Sequence, residues 1–280
     1  PKRGILVAGS LSETRGDKMA KPSQVSEEDH EAHHGGGAMA EPTAASLVTL
    51  VDADSHKILR RTEVPGIVHH VGISIDERFA AVTHPGLDAV SLIDLDSGDV
   101  TGTIATGPIP EYVVADPETG TFFVSNAGNN TISELDPDDG IVTRSFKLQG
   151  PPKHMLLLAK ARQLIVSESD TGRVSIVDAD NGETLDTFEI GGDLHGVAAD
   201  NGAIWSSARE RDRVVRIDRN TGERLEVKVG PEPYHMARVG DALMVSSAVK
   251  NELWVLDPKT LDLLVIVETD STGHQFVPMP

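Results

Sequence analysis

Not one of the 280 residues is cysteine. That absence excludes disulfides, thiolate metal sites and thiol catalysis, and it leaves the redox compartment open. Aromatic residues are scarce at 4%, so the core must be built from aliphatic side chains. Long apolar runs are missing too. The longest candidates, such as "LLVIV" at 263–267, have strand length and fall short of the roughly 18 residues of a membrane helix. Positive charge is in deficit: 25 Lys and Arg stand against 44 Asp and Glu, a net charge of −19. Such a surface repels phosphate backbones and anionic lipid, which argues against nucleic acid and membrane insertion, and it attracts cations. The chain opens "PKRGILVAGS" without Met or a signal-type apolar segment, as expected of a processed or trimmed product.

What is present is a repeat. A hydrophobic-Asp turn motif, closed by Gly four residues on after Asp94, Asp136, Asp178 and Asp218, aligns Asp52, Asp94, Asp136, Asp178, Asp218 and Asp257, spaced by 42, 42, 42, 40 and 39 residues. Before each aspartate stand two short strand patterns, for example "LIVSES" and "VSIVDA"; after it come a turn and a third, such as "ETLDTFEI". Asp opens such a turn because its carboxylate accepts from nearby backbone N–H groups, and Gly closes it because φ there is positive. These aspartates are therefore read as turn formers. Four short strands every forty-odd residues is the period of a propeller blade. The expectation is all-β: one closed propeller over residues 1–280. Its strand count gives six blades, with seven as the alternative. "RGILVAGS" at the N-terminus and "GHQFVPMP" at the C-terminus would complete one blade between them and leave no unpaired sheet edge.

Residues 122–158 read "FFVSNAGNNTISELDPDDGIVTRSFKLQGPPKHMLLL". With aromatic-Val-Ser-Asn, Gly-Asn-Asn-Thr and Asp-Pro-x-x-Gly in order, this stretch resembles the YVTN-type propeller repeat. The resemblance implies the propeller fold and, because such proteins are often exported from bacterial cells, a periplasmic or extracellular location. It does not imply one function, since the family spans binding proteins and several enzymes.

The stretch opening each blade carries the chemistry. "VHHVGIS", "PEYVVAD", "PKHMLLL", "LHGVAAD", "PEPYHM" and "GHQFVPM" share a turn, a polar or aromatic pair and an apolar run. Read as one column they give His70, Tyr112, His154, His195, His235 and His274. Chance placement of five histidines in six such positions is on the order of one in a million before allowing for the choice of column. In a propeller this column faces the axis, so the imidazoles converge. Neutral imidazole is a common ligand of zinc and copper, and all-nitrogen ligation without thiolate suits both, with iron a further option. A duplicated, hydrogen-bonded channel lining is the structural alternative. His69 adds a His-His pair. His84 ends its strand where Asn126, Glu168, Ser207 and Ser247 stand in other blades, so His84 and Glu168 are candidates for extra ligands or for orienting them. Met155 and Met236, which follow ring histidines, should turn away by strand alternation.

Residues 10–45 interrupt the first blade between its second and third strands. They contain "EEDHEAHHGGG", and His30, His33 and His34 among carboxylates read as a metal-collecting loop over the ring. Metal capture or handling, with a metal-delivery or electron-transfer protein as partner, uses these features together. Whether the chain is an enzyme stays open. The alternative is a copper-dependent oxidoreductase, because successive axial histidines are similar to the copper-cluster arrangement of nitrous oxide reductase. In that reading Tyr112, Glu168 or Lys153 would act on protons or substrate. A lyase or lactonase, or a scaffold with an incidental channel, are further readings.

Overall fold

The computed structural model describes residues 4–12 and 45–273. The first sheet holds β1 (Ile5–Ser12), β2 (Ala45–Asp52) and β3 (Ile58–Pro65). The second holds β4 (Val71–Ile73), β5 (Phe79–His84), β6 (Ala89–Asp94) and β7 (Val100–Ala105). The third runs β8 (Pro110–Ala115), β9 (Phe122–Asn126), β10 (Thr131–Asp136) and β11 (Ile141–Lys147). In the fourth are β12 (Pro152–Leu158), β13 (Gln163–Glu168), β14 (Arg173–Asp178) and β15 (Thr184–Glu189). The fifth has β16 (Leu194–Ala199), β17 (Ala203–Ala208), β18 (Arg213–Asp218) and β19 (Arg224–Lys228). The sixth is β20 (Pro233–Val239), β21 (Ala242–Ser247), β22 (Glu252–Leu256) and β23 (Leu263–Glu268). All are antiparallel meanders, and among the described residues the helical content is four single 3-10 turns. The terminal segment expected to add a strand to the first sheet, residues 274–280, lies outside the described residues.

The repeat aspartates do what their position requires. Asp94 Oδ1 accepts from the N–H groups of Asp96 and Ser97 at 2.9 and 2.7 Å. Asp136, Asp178, Asp218 and Asp257 each take two backbone N–H groups in the same way, and Asp52 takes the N–H and hydroxyl of Ser55. These bonds favour the carboxylate: the hydrogen bond from Ser97 holds Asp94 below the usual range, and those from Ser55, Asn220 and Thr260 do the same for Asp52, Asp218 and Asp257.

Each pair of consecutive sheets shares one aliphatic core. Val48, Leu50, Val82 and Ile93 join the first to the second; Leu92, Val113 and Val124 the second to the third. Phe123, Met155 and Leu164 join the third to the fourth, and Ile165, Leu194 and Ile204 the fourth to the fifth. The last core, between the fifth and sixth, carries both tryptophans, Trp205 and Trp254, with Met236 and Leu256. Met155 and Met236 are thus packing residues, as strand alternation implies. Strand pairing between β1 and β2 runs without a break from Ile5↔Asp52 to Ser12↔Ala45, so the insertion is shorter at both ends than the expected 10–45. The remaining loop, with His30, His33 and His34, lies outside the described residues.

Candidate metal centre

The inner strands β8, β12, β16 and β20 share one irregularity. In the fourth sheet Pro152 pairs with Glu168 and Met155 with Val166, so Lys153 and His154 together oppose Ser167. Residues 111 and 112, 195 and 196, and 234 and 235 are doubled in the same way. A bulge of this kind turns two neighbouring side chains toward one side instead of opposite sides. Two columns therefore form. One holds Glu111, Lys153, His195 and Tyr234, joined by His69. The other holds Tyr112, His154, Gly196 and His235, joined by His70.

This corrects the column read from the sequence. His195 stands one place early, and its true counterpart to His154 is Gly196. The reason is steric. A Cβ at position 196 would lie 2.4 Å from the Tyr234 carbonyl oxygen and 3.0 Å from His235 Cα, so the neighbouring strand admits only glycine there. The signal was present: Val71, Val113, Met155 and Met236 directly follow their column residues, and Val197 follows Gly196.

The sequence reading also missed the hydroxyls that fix the columns. His70 N–H donates to Thr83 Oγ1 at 2.9 Å, Tyr112 to Ser125 at 3.0 Å, His154 to Ser167 at 3.1 Å, Gly196 to Ser207 at 2.8 Å and His235 to Ser246 at 3.1 Å. Four of these hydroxyls then donate to a carbonyl of the next sheet: Thr83 to Glu111, Ser125 to Lys153, Ser167 to His195 and Ser207 to Tyr234. Each hydroxyl thus pins the bulge of its own sheet and the bulge of its neighbour. The Val-[Ser/Thr] pairs of "AVTH", "FVSN" and "IVSE" are the motif that could have revealed them.

The outcome is convergence. His70, His154 and His235, from three different sheets and buried, each present one ring nitrogen within 4.8 Å of the others. An equilateral triangle of that side has its centre about 2.8 Å from each corner, against a zinc–nitrogen bond of 2.0–2.1 Å, so closing on an ion takes at most about 0.7 Å of side-chain movement. The residues fit a metal. His70 Nδ1 lies 2.8 Å from the Glu111 carbonyl oxygen. The same Nδ1 lies 3.1 Å from His69 Nδ1; in the tautomer that donates from Nδ1 to the carbonyl, Nε2 of the neutral ring keeps its lone pair for a metal. His69 Nδ1 is 2.9 Å from the same carbonyl and 3.1 Å from Glu111 Oε2, and Lys153 Nζ is 3.1 Å from Glu111 Oε1. Glu111 thereby ties together both members of the His-His pair and the next sheet's lysine.

The remaining candidates divide. His195 lies beside the trio, its ring centroid 4.1 Å from that of His154, and it stacks on buried Tyr234 at 3.8 Å. Burial pushes the Tyr234 phenol up from its ordinary value. Tyr112 sits between two trio members, 4.6 Å from His70 and 4.7 Å from His154. His84 and Glu168 do not join the cluster. His84 Nε2 is bonded to Ser91 Oγ at 2.8 Å, Glu168 takes the Ser175 hydroxyl and lies 3.3 Å from Arg173, and Asn126 Nδ2 donates to Ser133 at 2.9 Å. All three close their own hairpin onto a serine seven residues on, which makes them structural. The fifth sheet fills this place with Ala208, opposite Arg213, and not with Ser207. Burial lowers the His84 pKa from its ordinary 6.5. His274 lies outside the described residues.

No family model and no curated protein matches the chain. Solved structures do resemble it. Hydrazine synthase of Kuenenia stuttgartiensis superposes with a TM-score of 0.71 at 18% identity, over 82% of this chain and 85% of that one. Dihydro-heme d1 dehydrogenase NirN, in complex with DHE, superposes with a TM-score of 0.63 at 16% identity, over 85% of this chain and 57% of its own. Both are β-propeller proteins. The fold is that of a β-propeller. At these identities the likeness speaks for architecture alone, and this chain spans little more than half of the second protein.

Proposed function

We propose that this propeller captures copper or zinc, held through His70, His154 and His235 where its inner strands meet. The observation that supports the reading is the convergence of three buried imidazoles from three sheets. Neutral nitrogen donors without thiolate suit Zn²⁺ and Cu²⁺, and a three-protein-ligand site leaves room for a further donor or an exchangeable group. His274 precedes Gln275 and Phe276 as His195 precedes Gly196 and Val197, which matches it to the neighbouring column, and from there it is proposed as that further donor. The terminal strand carrying it would close a six-bladed ring. His30, His33 and His34 are proposed as the collecting loop, in keeping with the acidic charge of the whole chain. Export, a YVTN-type lineage and a metal-delivery partner belong to the same proposal.

Metal analysis of the purified protein, followed by titration of the chelator-treated protein with Zn²⁺ and Cu²⁺, tests it. One tightly held ion per chain is expected, silent in EPR for zinc and showing a nitrogen-rich signal for Cu²⁺. Absence of stoichiometric, chelator-sensitive binding of either ion would overturn it.

A further inference from the structure

The histidine cluster does not account for a cleft beside it, between the fourth and fifth sheets. The cleft encloses about 460 Å³, and its wall includes Lys153, Thr171, Gly192, Asp193, His195 and Arg209. That volume falls within the range of small-molecule sites. Two of the wall residues, Lys153 and His195, are bulge residues, and the His195 ring is 4.1 Å from that of His154. A molecule in the cleft would touch a side chain that itself touches the cluster.

The wall carries two cations, Lys153 and Arg209, and three carboxylates, Asp170, Asp193 and Glu210, and a third cation, Arg211, stands beside it. Arg209 is largely buried; its Nη2 lies 3.2 Å from Asp193 Oδ2, while its buried Nη1 meets no acceptor among the described residues. A buried guanidinium N–H without an acceptor is costly, and an added acceptor relieves that cost. Lys153 gives one contact to Glu111, which leaves an ammonium two further donors. Arg211 is exposed, in no ion pair among the described residues, and its guanidinium packs on the turn behind Gly192: a Cβ on Gly191 would meet Nη1 and Nη2 at 3.1 Å. The carboxylates of the wall are partly engaged, Asp193 by Arg209 and Asp170 by the Ser169 hydroxyl at 3.1 Å; Glu210 is exposed. Gly172, Gly191 and Gly192 all have positive φ, and a Cβ on Gly172 would lie 2.6 Å from Gly191 Cα, so the two loops at this wall pack backbone to backbone as only glycine allows.

We propose that the cleft binds a small carboxylate anion beside the histidine cluster, with Arg209 and Lys153 as its anchors and Arg211 at its rim. The planar fork of Arg209 matches a carboxylate's two oxygens. None of the three cations is a proposed metal ligand, so the inference goes beyond the metal reading and is tested apart from it.

The experiment is calorimetric titration of succinate into the full chain in a low-salt, carboxylate-free buffer, once after chelator treatment and once after zinc loading. Saturable one-to-one binding to the metal-free protein is expected, weakened at least tenfold by Arg209→Gln and severalfold by Arg211→Gln, with zinc content unchanged. Arg211 is exposed, so its variant keeps the fold and decides the matter if Arg209→Gln unfolds. No saturable binding in either form overturns the inference, as does binding that ignores both substitutions or that requires zinc and ignores both. Succinate bound with this arginine dependence in a protein that takes up neither zinc nor copper would sink the metal reading and leave this one standing.

Discussion

Substitution of one cluster histidine gives the sharpest test of the site. A tetrahedral zinc site is worth about 10–16 kcal/mol, so one of four ligands accounts for roughly 3–4 kcal/mol, or on the order of 10²- to 10³-fold in Kd. The trio's nitrogens lie within 4.8 Å of one another, close enough for each ring to reach a shared ion. His154→Ala should therefore weaken zinc binding by on the order of 10²-fold or more, and His154→Ala with His235→Ala by more than 10⁴-fold. His195→Ala should cost less than tenfold, because the bulge sets it in the other column against Tyr234. Competition with a chromophoric chelator gives the Kd values, and circular dichroism checks that each variant folds. Unchanged affinity in His154→Ala would remove the trio from the site. Equal losses in His154→Ala and His195→Ala would show that the two columns are not distinct in function.

Trp205, 2% exposed and with Nε1 donating to the Pro258 carbonyl at 2.9 Å, fills the core between the fifth and sixth sheets; Trp205→Ala should cost about 3–5 kcal/mol in urea denaturation, and a loss below 1 kcal/mol would mean that this core does not join the sheets. His84→Asn should fold and keep its metal, because Asn126 already makes the equivalent bond to Ser133. Burial lowers the His84 pKa, so the unfolded chain binds that proton more tightly and stability falls as pH drops below about 6.5; the asparagine variant should lose this part of the pH dependence, and an unaltered profile counts against it. Asp94 has a depressed pKa, so its contribution is present above the ordinary carboxylate range near 3.9 and is lost as pH falls below it. Asp94→Ala should be less stable than the parent at pH 7 and converge with it near pH 2, with metal content equal throughout. Gly196→Ala should unfold or distort the fifth inner strand, since its Cβ would lie 2.4 Å from a carbonyl oxygen; a normally stable variant would show that the bulge can shift.

The local sequence determined the repeating unit. Turn chemistry acts over three or four residues, so Asp94, Asp136 and their counterparts announced their hairpins, and alternating apolar runs announced the strands between them. The recurrence of histidine at the start of five of the six repeats was likewise visible, and it pointed to the strands that bring three of them together. Which of two adjacent residues joins the cluster was not visible. A bulge doubles the inward position, and its register depends on a hydroxyl of the partner strand and on how near the next sheet's backbone passes. Those are contacts between residues 11 to 28 positions apart. Hence His195 reads as a ring member in the sequence, whereas the Tyr234 carbonyl reserves that column for Gly196. His84 and Glu168 show the same limit from the other side: their polarity suggested ligands, and only the closed hairpins, with Ser91 and Ser175 across the strand, commit them to the fold.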